Sequence, residues 1–210
     1  MKRILLVDDH EVVRNGVRNL CQAQLGEFEF GEAVAMPDAL RMVSEQTWDA
    51  VVLDLSLGAR SGLELLKEIK ETCPKLPVLI LSMHSEEQYA RRAFRAGASG
   101  YVTKDSPGEE LVKAIQNILT GRRYVSANLA ERLVVELDSS SGFRPPQEIL
   151  SDREFEVMGL IASGKTISAI AQLLCLSNKT ISTHRAHILR KMAMKTSAEL
   201  THYVIRNNLL

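Results

Sequence analysis

Short apolar runs alternate with amphipathic stretches over the first 120 residues of the chain. The runs lie at residues 4–7, 28–33, 51–53, 78–81 and 101–102, and the stretches at 11–25, 37–47, 62–72, 86–96 and 107–120. The runs have the length of buried strands, and the apolar residues of the stretches recur at helical spacing. Five strand-helix repeats predict an α/β fold with a doubly wound, five-stranded parallel sheet.

Three serines mark predicted helix starts in this region. Ser61, Ser85 and Ser106 are each followed three residues later by Glu or Gln, which is the pattern of a capping box. Pro107 then takes the first helical position after Ser106. We therefore expect these serines to cap the helices that follow them.

The alternation ends at Gly121, where the composition changes. Residues 122–146 contain one predicted helix, at 128–137, and then a segment rich in serine, glycine and proline, which is typical of an interdomain linker. From residue 147 onward only helical periodicity appears, and a capping box at Ser151 opens the first helix. The predicted helices lie at 152–163, 166–174, 178–193 and 197–207. The sequence thus predicts an α/β domain at 1–121, a linker at 122–146 and an all-α, four-helix domain at 147–210.

Composition excludes several classes of protein. The 210 residues suffice for two small domains, and no apolar run approaches the roughly 18 residues of a membrane span. The apolar run after Arg3 is too short for a signal peptide. We expect a soluble, cytoplasmic protein with no membrane partner. The three cysteines show neither a zinc spacing nor a disulfide framework, so we assign them no chemistry.

The net charge of zero hides an uneven distribution. Residues 1–120 carry 14 basic and 18 acidic residues, whereas residues 147–210 carry 8 basic and 5 acidic residues. No carboxylate side chain lies between Glu156 and Glu199, where six basic side chains do. A solvated helix face usually mixes both signs of charge. The C-terminal domain is therefore expected to bind a polyanion, with nucleic acid favoured.

Polar residues follow the predicted strands of the first domain. Asp8 and Asp9 come after the first strand, Asp54 after the third, Ser82 after the fourth and Lys104 after the fifth. Open α/β sheets bind ligands at the carboxyl ends of their strands. Carboxylates that meet there repel one another unless a cation lies among them, and a hard oxygen site favours Mg²⁺. The lysine would offset the remaining charge and could bind a phosphoryl oxygen.

Asp8-Asp9, Asp54, Ser82 and Lys104 at these spacings resemble the receiver domain of two-component response regulators, over residues 1 to about 121. The resemblance implies a CheY-like fold. It also implies that a sensor histidine kinase transfers a phosphoryl group to Asp54. Such a transfer depends mainly on positioning and charge neutralisation, which a metal, a lysine and an in-line carboxylate supply.

The resemblance also implies a role for each residue of the pocket. Asp9 and Asp54, with the backbone carbonyl of Ser56, would hold Mg²⁺, and Asp8 would assist. The groups that would bind the phosphoryl oxygens or reorient with them are Lys104, Ser82 and the aromatic side chain of Tyr101.

Two positions depart from the receiver pattern. Gly58 stands where the family usually has proline, and a glycine should loosen the loop after Asp54, so phosphorylation could be slower or weaker. Asp105 follows Lys104 where the family often has a cis proline, so no cis peptide is expected there.

The segment from Leu150 to Val157, followed by Gly164, Thr180-Ile181 and Ile188, is similar to the LuxR-type helix-turn-helix of NarL/FixJ regulators. This resemblance covers residues 147–210. It implies that residues 178–193 form the recognition helix in the major groove of DNA. Departures from the family at Ser182 and at residues 167–169 argue against transferring a family operator sequence.

The predicted recognition helix has an inward apolar stripe that includes Ile181 and Ile188. Basic residues outside that stripe are candidates for phosphate contacts, and small ones for base edges or the thymine methyl group. His184 could contact a phosphate or pack against the bundle. The candidate DNA-binding residues are Lys179, Thr180, Ser182, Thr183, His184, Arg185, Ala186, Arg190 and Lys191.

Leu200, Tyr203 and Val204 lie on one side of the last predicted helix. Some of these side chains should pack on the bundle. The family resemblance implies that part of this surface pairs with a second subunit on inverted-repeat DNA. All three residues are therefore dimer candidates.

Together these features predict a transcription factor, not an enzyme, in which phosphorylation of Asp54 controls dimerisation and DNA binding. Its partners would be double-stranded DNA, a sensor histidine kinase and a second copy of the chain, with RNA polymerase as a further candidate. Two alternatives stay open: a DNA-binding regulator whose receiver does not switch, and a phosphoaspartyl hydrolase. The hydrolase class needs a second acid two residues after its nucleophile, where this chain has Ser56.

Overall fold

The computed structural model describes residues 1–57, 60–131, 146–207 and 209. The chain forms two compact units, Met1–Asp138 and Ser139–Leu210. Gly58, the end of the predicted helix at 128–137 and most of the predicted linker lie outside the described residues. None of the described helices combines the length and the hydrophobicity that a membrane crossing requires.

The N-terminal unit alternates strands and helices as the sequence predicts. Its strands are β1 (Lys2–Val7), β2 (Phe28–Ala33), β3 (Ala50–Leu53), β4 (Ser56–Leu57), β5 (Arg60–Ser61), β6 (Val78–Ser82) and β7 (Gly100–Thr103). Its helices are α1 (Glu11–Leu25), α2 (Met36–Glu45), α3 (Gly62–Thr72), α4 (Glu86–Arg95) and α5 (Gly108–Leu119).

The five longer strands form one parallel sheet in the order β2-β1-β3-β6-β7. Every residue of β3 and β6 is buried, as expected for parallel strands that helices cover on both faces. One face of the sheet packs on α1 and α5, where Ile4, Leu6 and Val52 meet Val17 and Ile115. The predicted doubly wound, five-stranded parallel sheet is confirmed. The strand order reverses between β1 and β3, which places the ligand crevice of such a sheet beside the carboxyl ends of these two strands.

Local structure differs from the prediction at some helix starts. Ser61 caps α3 as expected, because its hydroxyl accepts the N–H of Leu63 at 3.3 Å. Ser85 precedes α4 but makes no side-chain cap hydrogen bond. The hydroxyl of Ser106 bonds that of Thr103 instead, and Pro107 is the residue before α5. The short antiparallel pair of β4 and β5, directly after Asp54, was also not predicted.

The chain continues from α5 along the edge of the sheet. Tyr124 forms a parallel bridge with Gly100, and its N–H donates to the carbonyl of Ser99 at 2.9 Å. A helix, α6, is described at residues 127–131, and the hydroxyl of Ser126 accepts the N–H of Leu129 at its start. The N-terminal unit therefore extends beyond Gly121, into the segment predicted as linker.

The C-terminal unit begins with a 3-10 turn, Pro146–Ile149, and contains α7 (Asp152–Ala162), α8 (Ile167–Leu173), α9 (Asn178–Lys191) and α10 (Ser197–Arg206). Helix α7 packs on α9 and α10, and α8 packs on α9. A full capping box joins Ser151 and Glu154 at the start of α7, as predicted. Gly164, with a φ of 79°, follows the end of that helix and provides the left-handed backbone conformation. The predicted four-helix domain is confirmed.

Candidate functional site

The predicted polar residues meet at the carboxyl edge of the parallel sheet. Asp8 and Asp9 follow β1, Asp54 follows β3, Ser82 ends β6 and Lys104 follows β7, and these four strands are neighbours in the sheet. Backbone hydrogen bonds continue the sheet into the site: the N–H of Asp54 donates to the last carbonyl of β1 at 2.9 Å, and that of Lys104 to the carbonyl of Ser82 at 2.8 Å. The strand ends thus bring these residues together in what we call the acidic pocket.

Lys104 joins two carboxylates in the acidic pocket. Its Nζ lies 2.7 Å from Oδ2 of Asp54 and 2.7 Å from Oδ2 of Asp8, and all three side chains are buried. Burial alone would lower the pKa of Lys104, but the hydrogen bonds and charges of the two aspartates outweigh burial and raise it. Lys104 is therefore a cation at neutral pH, and its hydrogen bonds are of the strong, charge-assisted kind.

Asp54 is more enclosed than Asp8 or Asp9, with 1% of the residue exposed. Burial raises the pKa of Asp54 above its ordinary value, and the hydrogen bond and charge of Lys104 offset only part of that effect. Lys104 contacts Oδ2, whereas Oδ1 is buried without a hydrogen-bond partner among the described residues. A buried carboxylate oxygen without a donor is unfavourable. Oδ1 is therefore the atom of Asp54 that a bound cation would stabilise most.

The acidic residues lie close enough together to bind one metal ion. Ligand atoms of Asp8, Asp9, His10 and Asp54 all lie within 4.8 Å of one another. The side chain of Asp9 is 44% exposed, so water can reach the group from that side. Three carboxylates with access to water suit a hard divalent cation. The pocket is consistent with a divalent-metal site.

Ser82 and Tyr101 lie behind the acidic pocket and are fully buried. The hydroxyl of Tyr101 donates to the carbonyl of His84 at 2.8 Å, and the N–H of His84 donates to Oγ of Ser82 at 3.3 Å. The ring of His84 stacks on Tyr89 of α4 with centroids 4.3 Å apart, and its Nε2 lies 3.4 Å from Oγ of Ser56. The loop after β6 thus connects the pocket to α4.

Two residues that the sequence pattern did not point to support the acidic pocket. Arg14 is buried, and its guanidinium donates to the carbonyl of Asp8 at 2.8 Å and to the carboxylate of Glu32 at 2.7 Å. A Cβ at Gly62 would lie 2.4 Å from the backbone carbonyl oxygen of Asp54, so only glycine allows α3 to approach this closely. Both residues hold the backbone of an acidic side chain in place.

In the C-terminal unit, α9 has a packed side and an exposed side. Ile181 and Ile188 are fully buried on the packed side. Exposed residues recur at spacings of three and four, which places them on one face of the helix. We call this face the exposed stripe, and it consists of Lys179, Ser182, Thr183, Ala186 and Arg190.

The other candidate DNA contacts lie beside the exposed stripe and bond within the unit. Nε of Arg185 donates to Oγ of Ser197 at 2.7 Å, and the hydroxyl of Thr180 bonds that of the helix cap Ser177 at 2.8 Å. His184 is half-buried, and burial, followed by the charge of Arg153, lowers its pKa. These side chains are less available to DNA than those of the exposed stripe.

Lys191, also a candidate DNA contact, has a buried partner. Its Nζ donates to Oε2 of Glu154 at 2.6 Å, and the N–H of Ser151 donates to the same oxygen at 2.8 Å. Burial by itself would raise the pKa of Glu154, but the hydrogen bonds from Lys191 and Ser151 outweigh it and lower the pKa. In this structure Lys191 is paired within the unit, and its side chain is 35% exposed.

The chain matches two protein families. Residues 4–116 match the response regulator receiver domain, and residues 148–204 match the bacterial regulatory proteins of the luxR family. The response regulator UvrY of Escherichia coli strain K12 is 32% identical over 209 residues, which cover 100% of this chain and 96% of UvrY. The oxygen regulatory protein NreC of Staphylococcus epidermidis is 35% identical over 215 residues, which cover 99% of each chain. The chain is a two-component response regulator of the NarL/FixJ family.

Solved structures share the fold of this response regulator. A LuxR-family response regulator from Aurantimonas sp. SI85-9A1 is 43% identical, with 64% of this chain and 96% of that chain covered and a TM-score of 0.59. RcsB from Salmonella enterica serovar Typhimurium, solved with a bound promoter and the phosphomimetic BeF3−, is 23% identical, with 97% of each chain covered and a TM-score of 0.59. That second likeness concerns the fold alone. The family comprises DNA-binding transcription regulators rather than enzymes, which removes the hydrolase alternative.

Two dimer candidates of the response regulator are buried within its own C-terminal unit. Leu200 and Val204 are 0% exposed, on the side of α10 that packs on α7. This corrects the prediction that they contact a second subunit, because a buried side chain cannot reach one. Tyr203 is half-buried and donates a hydrogen bond to the side chain of Gln147. Ile205, the residue of α10 that follows Val204, is 58% exposed.

Histidines are the other residues of the receiver domain that the sequence pattern did not point to. His10 directly follows the two aspartates, and His84 lies two residues after Ser82. Their closeness in the chain to the predicted pocket residues is the signal from which the sequence could have identified both histidines. The peptide bond between Lys104 and Asp105 is trans, as expected.

Proposed function

We propose that a sensor histidine kinase phosphorylates Asp54, and that this phosphorylation controls dimerisation and sequence-specific DNA binding. The observation that carries the proposal is the incomplete environment of Asp54. Its Oδ2 bonds Lys104 at 2.7 Å, while its buried Oδ1 has no partner among the described residues. A buried carboxylate that is only partly neutralised is typical of a functional site.

Mg²⁺ fits this pocket. Asp9 and Asp54, with the backbone carbonyl of Ser56, would hold it, and Asp8 would assist. The unpartnered Oδ1 of Asp54 and the exposed carboxylate of Asp9 are oxygen donors of the kind that Mg²⁺ prefers. Bound Mg²⁺ would neutralise negative charge on the pocket and on the transferring phosphoryl oxygens.

In the transfer, a carboxylate oxygen of Asp54 attacks the phosphorus of a phosphohistidine of the kinase. A P–O bond forms while the P–N bond breaks, and the imidazole leaves with the electron pair. Lys104 would then pair with a phosphoryl oxygen, and the buried hydroxyl of Ser82 would donate to the phosphoryl group. Tyr101 would reorient in response, starting from its hydrogen bond to the carbonyl of His84.

Exposed apolar residues near the acidic pocket support the docking of a kinase. Val12, in the first turn of α1, is 84% exposed, and Met83, directly after β6, is 73% exposed. Val34, directly after β2, is exposed as well. All three lie in segments at the carboxyl edge of the sheet. Exposed apolar groups around a reactive pocket favour a protein partner.

Contacts also lead from the acidic pocket to α6. His84 bonds Tyr101 and stacks on Tyr89 of α4. In the first turn of α4, Glu86 accepts a hydrogen bond from the hydroxyl of Ser126 at 2.5 Å, and Ser126 caps α6. A displacement of α4 on phosphorylation would therefore reach the segment that leads to the DNA-binding domain.

The exposed stripe of α9 supports the role of recognition helix in the major groove. Lys179 and Arg190 would contact phosphates, and the small side chains between them would contact base edges. One structure of RcsB contains two dimers bound to two parallel DNAs. A dimer of this chain would use the exposed side of α10, including Ile205, to bind an inverted repeat.

Mass spectrometry of the intact chain, after incubation with a small phosphodonor and Mg²⁺, tests the acceptor. The wild type should gain one phosphoryl group, and Asp54→Asn none. Asp105→Asn, which changes an exposed carboxylate next to Lys104, is the matched control and should react like the wild type. A wild-type chain that gains no phosphoryl group in the presence of Mg²⁺ would refute the proposal.

A further inference from the structure

His10 is the residue before the first turn of α1, yet its side chain makes no cap hydrogen bond to that helix. Ser, Thr, Asp and Asn are favoured at this position because their side-chain oxygens accept a helix N–H. The needs of α1 therefore do not explain a histidine. Its Nδ1 instead lies 2.7 Å from Oδ1 of Asp9 and 3.2 Å from Oδ1 of Asp8.

These contacts require a hydrogen on Nδ1 of His10. Carboxylate oxygens accept hydrogen bonds, so this geometry assigns the tautomer of His10 that carries a hydrogen on Nδ1. The backbone N–H of His10 donates to Oδ1 of Asp8 as well, at 2.8 Å. His10 thus binds the acidic pair through both its backbone and its side chain.

Asp9 depends on His10 more than the other carboxylates of the pocket do. Asp8 and Asp54 are buried and bonded by Lys104, whereas Asp9 is 44% exposed. Within the described part of the chain, His10 is the residue that bonds the carboxylate of Asp9. An exposed carboxylate loses rotamer freedom when it binds a cation, and a hydrogen bond that fixes its orientation beforehand reduces that loss. Hydrogen bonds to metal-binding carboxylates commonly have this effect.

We infer that His10 is a positioning residue that orients the carboxylate of Asp9 for a divalent cation. The imidazole occupies Oδ1 of Asp9, which directs Oδ2 to the cation. His10 would thereby set the Mg²⁺ concentration at which the pocket becomes competent for phosphorylation. This inference rests on the proposed function, because the cation is that of the phosphorylation pocket.

Calorimetric titration of the full chain with Mg²⁺, and separately with Mn²⁺, tests this role without any phosphodonor. His10→Ala should weaken the binding of both ions about tenfold, the lower end of the effect of removing such a supporting hydrogen bond. His10→Asn should restore most of the affinity, because its amide N–H can replace Nδ1–H. Asn15→Ala, which shortens an exposed side chain in the next turn of α1, should bind both ions like the wild type.

Unchanged affinity in His10→Ala would overturn the inference. Tighter binding would also overturn it, because His10 would then compete with the cation for Asp9. A loss confined to Mn²⁺ would identify the imidazole as a direct ligand, since nitrogen ligands favour transition metals, and would contradict a positioning role.

The proposed function fails on a different result. If the wild type binds Mg²⁺ but takes no phosphoryl group at saturating Mg²⁺, the acceptor role of Asp54 is refuted whatever His10 does. If His10→Ala reaches the wild-type level of phosphorylation but needs more Mg²⁺ for half of it, both proposals are supported.

Discussion

Two lysines, one in each unit, make similar contacts with opposite results. Nζ of Lys104 lies 2.7 Å from the buried carboxylate of Asp54, and Nζ of Lys191 lies 2.6 Å from that of Glu154. Burial prevails at Asp54 and raises its pKa, despite Lys104. At Glu154 the hydrogen bonds from Lys191 and Ser151 prevail over burial and lower the pKa.

Each carboxylate takes a backbone hydrogen bond in addition to its lysine, from Ser151 at Glu154 and from Ser56 at Asp54. The difference lies in the stronger effect of burial at Asp54 and in its second oxygen. Asp54 has one oxygen without a partner among the described residues. A carboxylate whose bonds are completed by the fold stabilises that fold, whereas one left incomplete can be completed by a ligand. The lysine–carboxylate pair of the C-terminal unit thus has a structural role, whereas that of the N-terminal unit has a functional role.

The largest expected difference between the two lysines is in the rate at which Asp54 is phosphorylated. Lys104→Met should lower the rate at which a small phosphodonor modifies Asp54 by about a hundredfold, the usual effect of losing a group that stabilises developing charge. Lys191→Met should leave that rate unchanged. Time courses of intact mass at saturating Mg²⁺ give both rates. Equal rates in Lys104→Met and the wild type would remove the distinction between the lysines.

Stability should depend on Lys191, the lysine of the C-terminal unit. Lys191→Met should lower the free energy of unfolding of the C-terminal unit by about 2 kcal/mol, because Glu154 stays buried without its cation. Glu154→Gln in the same chain should recover part of the loss, and Lys195→Met, on an exposed residue, should have no effect. Urea unfolding, followed by hydrogen exchange of α7 and α9, measures this. Wild-type stability together with weaker DNA binding would show instead that Lys191 is a phosphate contact.

The two carboxylates should also differ in how their contribution to stability depends on pH. The lowered pKa of Glu154 stabilises the fold above the pKa of the unfolded chain, and this stability is lost as the pH falls through the folded pKa. The raised pKa of Asp54 has the opposite sign: its contribution is present below the unfolded pKa and is lost as the pH rises through the folded pKa. At neutral pH without a bound metal ion, the raised pKa of Asp54 therefore opposes folding, whereas the raised pKa of its partner Lys104 favours folding.

Replacing each carboxylate with its neutral amide should change the free energy of unfolding in opposite directions, when a metal chelator is present. At pH 7, Asp54→Asn should raise the free energy of unfolding of the N-terminal unit by about 1 kcal/mol, a typical gain when a functional group is replaced. Glu154→Gln should lower that of the C-terminal unit. Both differences should shrink as the pH falls and the wild-type carboxylates become protonated. Urea unfolding over a pH series tests this, and differences of the same sign would contradict the comparison.

The smallest effect is expected at the exposed stripe, where a lysine has no buried partner to stabilise. Lys179→Ala should weaken DNA binding similarly for all sequences and reduce the slope of log K against log salt by about one. Lys113→Ala, on an exposed residue of α5, is the control in the other unit. Fluorescence anisotropy with labelled DNA at several salt concentrations gives the slopes. An unchanged slope would exclude a phosphate contact at Lys179.

The sequence was sufficient to predict the acidic pocket because the order and direction of the strands determine which residues meet there. Once the apolar runs are recognised as parallel strands, their ends must meet at one edge of the sheet. Asp8, Asp54, Ser82 and Lys104 lie at those ends or directly after them. No distance between residues is needed for that step. The sequence could not predict which oxygen of Asp54 lacks a partner, because that depends on side-chain geometry.

Contacts between distant elements were harder to predict. Lys191 lies in a segment without carboxylates, and its partner Glu154 lies 37 residues earlier on another helix. The apolar stripe of α10 did not distinguish the core from a dimer surface, since both bury the same kind of side chain as Leu200. A serine before a helix did not guarantee a cap either, because Ser106 bonds the nearby hydroxyl of Thr103 instead.

The proposed switch is tested most directly by the affinity of the full chain for a DNA fragment that it selects from genomic DNA. The affinity is measured with and without a phosphodonor and Mg²⁺, for the wild type and for Asp54→Asn. Phosphorylation of the wild type should tighten binding about tenfold, within the usual range of coupling between two sites, and should not change the affinity of Asp54→Asn. Equal affinity of the phosphorylated and unphosphorylated wild type would contradict control of DNA binding by Asp54.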